Sequence, residues 1–215
     1  MIRLSTKATS GWITKFDPNL YIVGTTNPAS GTTTNIAGGL FTHYGAGTSL
    51  RNYAIDSTKI TCVSGDSGRI ILTYNDVITS DYIYRFYADS YVYGTSGTNG
   101  TTMAFRIKDN AGHSVNMVYG VTTGNSTQQW VYTYYIEKTS ATTLILHRFT
   151  GAGVYDHVDV DVSSLTGGDW KIEFSLNEGK GWDCTIYFHL LDVLSKADWA
   201  IFKLGAARGG LTFAV

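Results

Sequence analysis

Polar and apolar residues alternate along the second half of the chain with the period of a β-strand. In DWKIEFSL (169–176), four large apolar residues share one face: Trp170, Ile172, Phe174 and Leu176. A period of two predicts a strand with one buried face. WDCTIYFHL (182–190) repeats the pattern after NEGKG (177–181). Two such runs around a short Gly-containing loop predict a β-hairpin.

Two further hairpins are predicted. TTMAFRIK (101–108) and SVNMVYGV (114–121) flank DNAGH (109–113), which has turn-forming Asn and Gly residues. QQWVYTYYIEK (128–138) and TLILHRF (143–149) flank the short segment TSAT. Other strand-like segments are predicted at 12–16, 20–23, 40–44, 59–63, 69–74, 81–87, 154–162 and 209–215.

One segment has a helical pattern. LLDVLSKADWAIF (190–202) has apolar residues at helix-like spacing, which predicts a short helix. Alternatively, Ser195 and Asp198 begin a helix as its cap. Because strands recur roughly every ten residues with frequent glycines between them, the predicted fold is an all-β antiparallel β-sandwich, a jelly roll with at most one short helix.

Chain length predicts one domain over residues 1–215. Residues 1–50 are more loosely patterned, and we expect an extended attachment arm there. The expectation for removal of residues 1–35 is loss of attachment with the fold left intact. The N-terminal sequence MIRLSTKATSGW has no apolar core of a signal peptide.

Charge excludes some classes of partner. The chain has 16 Lys and Arg residues against 17 Asp and Glu residues, so no nucleic-acid partner is expected. No apolar run approaches the roughly 20 residues that a membrane span needs. Charged residues are only 15% of the chain, and Ser, Thr, Asn, Gly and Tyr take their place. Such a surface suits both glycan contact and packing within an assembly.

The two cysteines, Cys62 and Cys184, allow two interpretations. They form a disulfide, or they are buried free thiols. The second is favoured because a chain of this length has an ample core and no secretory context.

Aromatic residues are concentrated in the segments 81–87 and 128–138. Their even positions form the more apolar face, so we expect most of these rings to pack inward. A second interpretation is that the rings line an open sheet face and stack on sugars. The residues of that candidate site are Tyr82, Tyr84, Trp130, Tyr132 and Tyr134. A third is a subunit interface, where Tyr and Trp are enriched.

A metal-binding candidate lies in YDHVDVDV (155–162). On a strand, His157, Asp159 and Asp161 share one face. Oxygen ligands of this kind bind Ca²⁺, while the alternative is a solvated polar face. No other cofactor is expected.

Glycoside hydrolysis requires two carboxyl groups that face each other across a cleft. The candidates are Glu137, Glu173 and Glu178. The segment WVYTYYIEK is similar to the strand that carries the nucleophile in family 11 xylanases. Thr133 stands where that strand has its glutamate, so the similarity implies no catalytic residue, and we expect no enzyme activity.

The run from Val158 to Leu190, together with the closing strand, resembles concanavalin A/laminin G-like jelly-roll domains. The composition, rich in Thr, Gly, Asn and Tyr and poor in Pro and Cys, is similar to that of virion proteins of tailed bacteriophages. The resemblance covers the pattern of residues 100–215 and implies a fold, without any site residue.

The resemblance implies a structural virion protein: a capsid decoration, tail or fibre component that contacts other virion proteins or copies of itself. Its expected location is therefore the virion. The alternative is a lectin-like module that binds carbohydrate, such as a host surface glycan, and a glycoside hydrolase ranks below both.

Overall fold

The computed structural model describes residues 11–16, 24–26, 28–46, 51–55, 59–64, 69–94, 101–122, 127–149, 155–177 and 182–207. For some strand residues in these ranges, only the backbone is described. Within them the strands are β1 (Ile13–Phe16), β2 (Gly24–Thr26), β3 (Thr32–Ile36), β4 (Phe41–Ala46), β5 (Arg51–Ile55), β6 (Ile60–Ser64), β7 (Arg69–Tyr74), β8 (Tyr82–Gly94), β9 (Thr101–Lys108), β10 (Ser114–Thr122), β11 (Thr127–Lys138), β12 (Thr143–Phe149), β13 (Tyr155–Asp161), β14 (Lys171–Asn177) and β15 (Trp182–Ser195), followed by helix α1 (Lys196–Ala207).

These strands form two antiparallel sheets. The larger sheet has the order β13-β12-β11-β8-β15-β6-β5-β2, and β1 also pairs with β15. The smaller sheet has the order β10-β9-β14-β7-β4-β3. Their apolar faces share one hydrophobic core, which confirms the predicted β-sandwich.

Aromatic rings fill the space between the sheets. Phe41 of the smaller sheet and Phe188 of the larger sheet have ring centres 4.9 Å apart. Phe86 and Phe105 meet across the same space at 4.6 Å. Contacts of this kind add to the burial of apolar area, so the rings join the two layers.

Two of the predicted hairpins are confirmed. Strand β9 pairs with β10, and β11 pairs with β12. In the first hairpin, Gly112 has a φ of 93°, which glycine adopts without strain. Two strand-like segments around a short connection are therefore enough to predict both.

The third predicted hairpin, between 169–176 and 182–190, is wrong. Strand β14 pairs with β7 and β9 in the smaller sheet, whereas β15 pairs with β6 and β8 in the larger one. Both strands turn their apolar faces to the core, where Phe174 and Phe188 lie 5.3 Å apart. Alternation sets the face that a strand buries, and it leaves the neighbouring strand undetermined.

Helix α1 begins later than the pattern of 190–202 predicts. Residues 190–195 continue β15, because they pair with β8 as far as Ser195 opposite Tyr82. The alternative prediction of a cap is confirmed: the backbone N–H of Asp198 donates to Ser195 Oγ at 3.1 Å, and that hydroxyl donates to Asp198 Oδ2 at 2.6 Å. Among the described helices, none is long and apolar enough to cross a membrane.

Several segments of the first fifty residues belong to the sheets. Phe16 in β1 is fully buried, and β3 pairs with β4 in the smaller sheet. The attachment arm stays a prediction for residues outside these strands. The predicted C-terminal strand at 209–215 lies outside the described residues.

Candidate functional site

The five rings predicted as a sugar-binding set do not share one described surface. Tyr82 is 40% exposed, whereas Tyr84 and Tyr134 are 4% and 5% exposed. The side chains of Trp130 and Tyr132 lie outside what the structure describes, although their backbone belongs to β11. The sugar-binding role of the set stays a prediction.

Tyr84 and Tyr134 lie in the core for a reason that the sequence shows. They occupy the even, more apolar face of their strands, and Tyr134 stacks on Phe86 with ring centres 5.3 Å apart. The Tyr84 hydroxyl accepts from the backbone N–H of Thr79 at 3.0 Å and donates to the carbonyl of Val77 at 3.2 Å. A buried tyrosine needs such partners.

The side chains of His157, Asp159 and Asp161 are exposed on β13, as the alternation predicts. Asp161 Oδ1 accepts from the backbone N–H of Ser163 at 2.8 Å, and that hydrogen bond lowers the pKa of Asp161. Among the described residues, no group of three or more His, Cys, Asp or Glu side chains is placed to hold a metal ion. The geometry therefore adds nothing to the predicted calcium site.

Two of the three candidate glutamates lie on different sheets, each on the face away from the core. Glu137 is buried on β11 of the larger sheet, where its carboxyl group lies 3.0 Å from Nε2 of His147. Glu173 is buried on β14 of the smaller sheet, paired with Arg106. These two cannot face each other across a cleft, and Glu178 lies outside the described residues.

Cys62 is a buried free thiol on β6, and its burial raises its pKa to about 12. It is therefore unreactive at neutral pH, since the thiolate is the nucleophile.

The outer face of the larger sheet carries a row of partly exposed rings: Tyr87, Tyr187 and His189. We call it the aromatic row. The rings of Tyr87 and His189 stack with centres 4.7 Å apart and planes 27° apart. Tyr187 lies 6.5 Å from His189, and Lys59 Nζ lies 5.1 Å from the centre of the Tyr187 ring. All three residues are half-buried, so each keeps part of its surface exposed to solvent.

A β-bulge builds this row. The register of β15 against β8 shifts between Phe188 and Leu190, so that His189 is an extra residue there. Bulges bend a strand and redirect side chains, and this one brings the imidazole over Tyr87. The alternation of 182–190 already placed Tyr187 and His189 away from the core, but no pattern in the sequence predicted the bulge.

A second cluster lies next to the row, beneath helix α1. Ile83 and Leu194 form the apolar part of its floor. The rest consists of polar and aromatic residues of the larger sheet: Arg85, Tyr135, Glu137, His147 and Asp192. We call these residues the covered patch. Trp199 of α1 stacks on Tyr135 with ring centres 5.3 Å apart and planes 26° apart. Its indole N–H donates to Glu137 Oε2 at 3.0 Å.

Arg85 and Asp192 form an ion pair in the covered patch. The guanidinium of Arg85 also lies 4.5 Å from the Trp12 ring centre, a cation–π contact. Burial raises the pKa of Tyr135, against the opposing effect of the neighbouring Arg85 guanidinium. Arg85 Nε and Asp192 Oδ1 are buried without a hydrogen-bond partner.

Sequence comparison identifies no relative: neither a protein-family model nor a curated protein matches the chain. Structure comparison finds lectins. A metal-free lectin from Griffonia simplicifolia has 11% identity over 81% of this chain and 99% of its own, with a TM-score of 0.45. A lectin from Bauhinia forficata solved with GalNAc has 13% identity over 81% of this chain and 99% of its own, with a TM-score of 0.41.

The enzymatically active domain of a tailspike protein from bacteriophage CBA120 is also similar. It has 14% identity over 84% of this chain and 19% of its own, with a TM-score of 0.28. At these identities and TM-scores the likeness concerns the fold alone.

Proposed function

We propose that this protein binds carbohydrate on the outer face of its larger sheet, with the aromatic row as the contact surface. The stacked, half-buried pair of Tyr87 and His189, with Tyr187 beside it, is the observation that carries the proposal. This arrangement differs from the set predicted from the sequence, because Tyr84 and Tyr134 of that set are buried.

Aromatic rings suit sugars because a pyranose has one face made largely of C–H bonds, which packs on an aromatic ring. The three rings stand on β8 and β15, neighbouring strands in the middle of the larger sheet. A site on paired strands is held more rigidly than one on a loop. A sugar that docks there therefore meets a surface that needs little ordering on binding.

Hydroxyl groups lie on the same face as the rings. Thr133 is the register partner of Tyr87, and Thr61 is the register partner of Tyr187. Both threonines are half-buried. Binding sites commonly combine an apolar wall with a few polar groups that fix orientation, and these threonines supply such groups for sugar hydroxyls.

The test is a glycan and bacterial-polysaccharide array, with and without calcium, on the wild-type protein and three variants. We expect Tyr87→Ala and Tyr187→Ala to abolish binding. The comparison variant is Tyr82→Ala, which removes an exposed tyrosine outside the row that belongs to the set predicted from the sequence. It should leave binding unchanged if the row is the contact surface. If the wild type binds no glycan, or if Tyr87→Ala binds as the wild type does, the proposal is wrong.

The same array tests the two earlier candidates. Loss of binding in a folded Trp130→Ala variant, with retention in Tyr87→Ala, would favour the set predicted from the sequence. A requirement for calcium would support a site at His157, Asp159 and Asp161.

The structural virion role stays a separate proposal, supported by composition. It predicts that mass spectrometry of purified phage particles detects this chain, and its absence from particles would contradict the role. Carbohydrate binding fits a particle-borne module, because many copies on one particle amplify weak single contacts.

A further inference from the structure

We propose that the covered patch is a second carbohydrate subsite, which Trp199 occupies while helix α1 lies over it. This inference rests on the proposed function, since it extends the aromatic row into a longer groove. Three observations support it: how α1 is attached, what its removal would uncover, and where the uncovered surface leads.

Trp199 packs helix α1 against the sheet. Of helix residues 196–201, whose side chains the structure describes, only Trp199 is buried. Ile201, two positions further, is 69% exposed. The remaining described attachments are polar: Lys196 N–H donates to the Asp81 carbonyl at 2.9 Å, and Lys196 Nζ donates to the Lys138 carbonyl at 3.4 Å. The described part of the helix therefore has one buried apolar side chain, and an element with few such contacts is of the kind that opens locally.

The floor beneath the helix combines apolar side chains, Ile83 and Leu194, with buried polar ones, unlike the core between the sheets. It holds the acidic side chains of Glu137 and Asp192, together with His147 and Arg85. Asp192 Oδ1 and Arg85 Nε are buried and have no hydrogen-bond partner. A buried polar atom without a partner costs free energy, and the hydroxyl groups of a sugar would supply partners for both.

Trp199 itself occupies the position that a sugar ring would take. Its flat indole lies on Tyr135, and its N–H donates to Glu137. A pyranose offers the same two features, an apolar face for the Tyr135 ring and a hydroxyl donor for the Glu137 carboxyl group. The acidic side chains of Glu137 and Asp192 disfavour a carboxylate ligand beside them. The ligand class is therefore a neutral sugar rather than a uronic acid.

The covered patch continues the aromatic row along the same strands. Arg85 is paired in register with Asp192, and the next position on this face of β8 is Tyr87. Since strands rise about 3.3 Å per residue, Arg85 and Tyr87 lie roughly 7 Å apart along β8. If α1 moves away and Trp12, which lies against Arg85 and Tyr135, turns aside with it, one groove runs from Tyr187 to Tyr135. That groove accepts a longer oligosaccharide than the row alone.

The experiment compares affinity for short and long neutral sugars when the helix is displaced. Cello-, xylo-, malto- and galacto-oligosaccharides are titrated as disaccharides and hexasaccharides into the wild type and Trp199→Ala. We expect Trp199→Ala to gain about tenfold or more in affinity for at least one hexasaccharide, with the matching disaccharide unchanged. The matched control is Ile201→Ala, which alters an exposed residue of the same helix and should bind as the wild type does.

A second variant keeps the test decisive if Trp199→Ala does not fold. Ala200→Pro disrupts the helix at an exposed position without touching the covered patch, and it should give the same gain. Adding Glu137→Gln to either variant should remove the gain. If displaced-helix variants gain no affinity for any hexasaccharide, the covered patch is no subsite.

The outcome separates this inference from the proposed function. Failure of the aromatic row appears as no effect of Tyr87→Ala on wild-type binding. Failure of the covered patch appears as unchanged hexasaccharide affinity after the helix is displaced. If only the displaced-helix variants bind, and Glu137→Gln abolishes that binding, the covered patch stands and the aromatic row does not.

Discussion

The imidazole of His43 packs against the ring of Tyr53, with 5.0 Å between the ring centres. His43 belongs to β4 of the smaller sheet and Tyr53 to β5 of the larger sheet, so the contact joins the two layers. His43 is fully buried, and neither of its ring nitrogens has a hydrogen-bond partner. Its register partners on the flanking strands are Thr34 and Leu72, neither of which carries a charge.

Because of this environment, the folded protein loses stability as the pH becomes mildly acidic. Burial lowers the pKa of His43 from its ordinary value of 6.5 to about 4. Between pH 6.5 and 4, His43 is therefore protonated in the unfolded chain but stays neutral in the folded protein. The contribution to stability is full above pH 6.5, and about 3 kcal/mol is lost as the pH falls to 4.

The variant His43→Phe tests this assignment. It keeps a ring against Tyr53, removes both unpartnered nitrogens, and should raise the free energy of unfolding at pH 7 by about 1 kcal/mol. Urea unfolding at pH 7 and 4.5 measures the effect. The wild type should lose stability between these two pH values, and His43→Phe should lose less. Equal losses in the two proteins would show that another group is responsible.

Asp109 connects two loops and should control stability at lower pH. Its carboxylate accepts from the backbone N–H groups of His113 and Gly167, each at 2.8 Å, and lies 2.9 Å from His113 Nδ1. Burial raises its pKa, but these hydrogen bonds outweigh burial and lower it from 3.8 to about 2. The stabilisation is present above pH 3.8 and is lost as the pH falls through about 2.

We therefore expect Asp109→Asn to lower the melting temperature at pH 7 and to flatten its dependence on pH between 4 and 2. Thermal unfolding followed by circular dichroism checks both. A variant with the wild-type pH profile would rule out Asp109 as the titrating group. Asp161 serves as a control, since it is exposed on β13, and Asp161→Asn should change the profile less.

The same pair of loops leaves no room at Gly167. A Cβ atom there would lie 2.5 Å from Asn110 Oδ1 and 2.9 Å from the backbone nitrogen of Ala111. At Gly168 the nearest atom, Asn110 Nδ2, would be 3.9 Å away. Gly167→Ala should therefore lower the free energy of unfolding by about 1–3 kcal/mol, whereas Gly168→Ala should have little effect. Similar losses in both variants would contradict the close approach at Gly167.

The sequence predicts interactions between residues close together in the chain better than interactions between distant segments. The hairpins β9–β10 and β11–β12 follow from turn residues and alternation within one short segment. The choice of neighbours for β14 does not follow from these signals. β14 pairs with β7 and β9 rather than with β15, and alternation alone does not select among these strands. The buried faces were predictable for Phe174 and Phe188, and their assignment to opposite sheets was not.

The candidate site shows the same limit. The outward positions of Tyr187 and His189 could be read from the sequence, but their stacking with Tyr87 depends on a bulge. The covered patch depends on residues far apart in the chain, since Trp199 meets Tyr135 and Glu137 only after β15 has paired with β8. Ser195 as the helix cap was predictable because its signal is local.

The last prediction concerns the N-terminus and revises an expectation from the sequence. Removal of residues 1–35 was expected to leave the fold intact, but that deletion takes away β1 and the fully buried Phe16. The Phe16 ring lies 5.4 Å from Phe41 and 5.9 Å from Phe188, so it contacts rings of both sheets. Loss of a buried phenylalanine alone costs about 3–5 kcal/mol.

We therefore expect a protein that lacks residues 1–35 to unfold far below the wild-type temperature. Phe16→Ala in the full chain should reproduce much of this loss. Thermal unfolding of the three proteins, followed by near-ultraviolet circular dichroism, measures the packing of these rings directly. If the protein without residues 1–35 keeps the wild-type signal and melting temperature, β1 is dispensable for the fold. The expectation from the sequence would then be right.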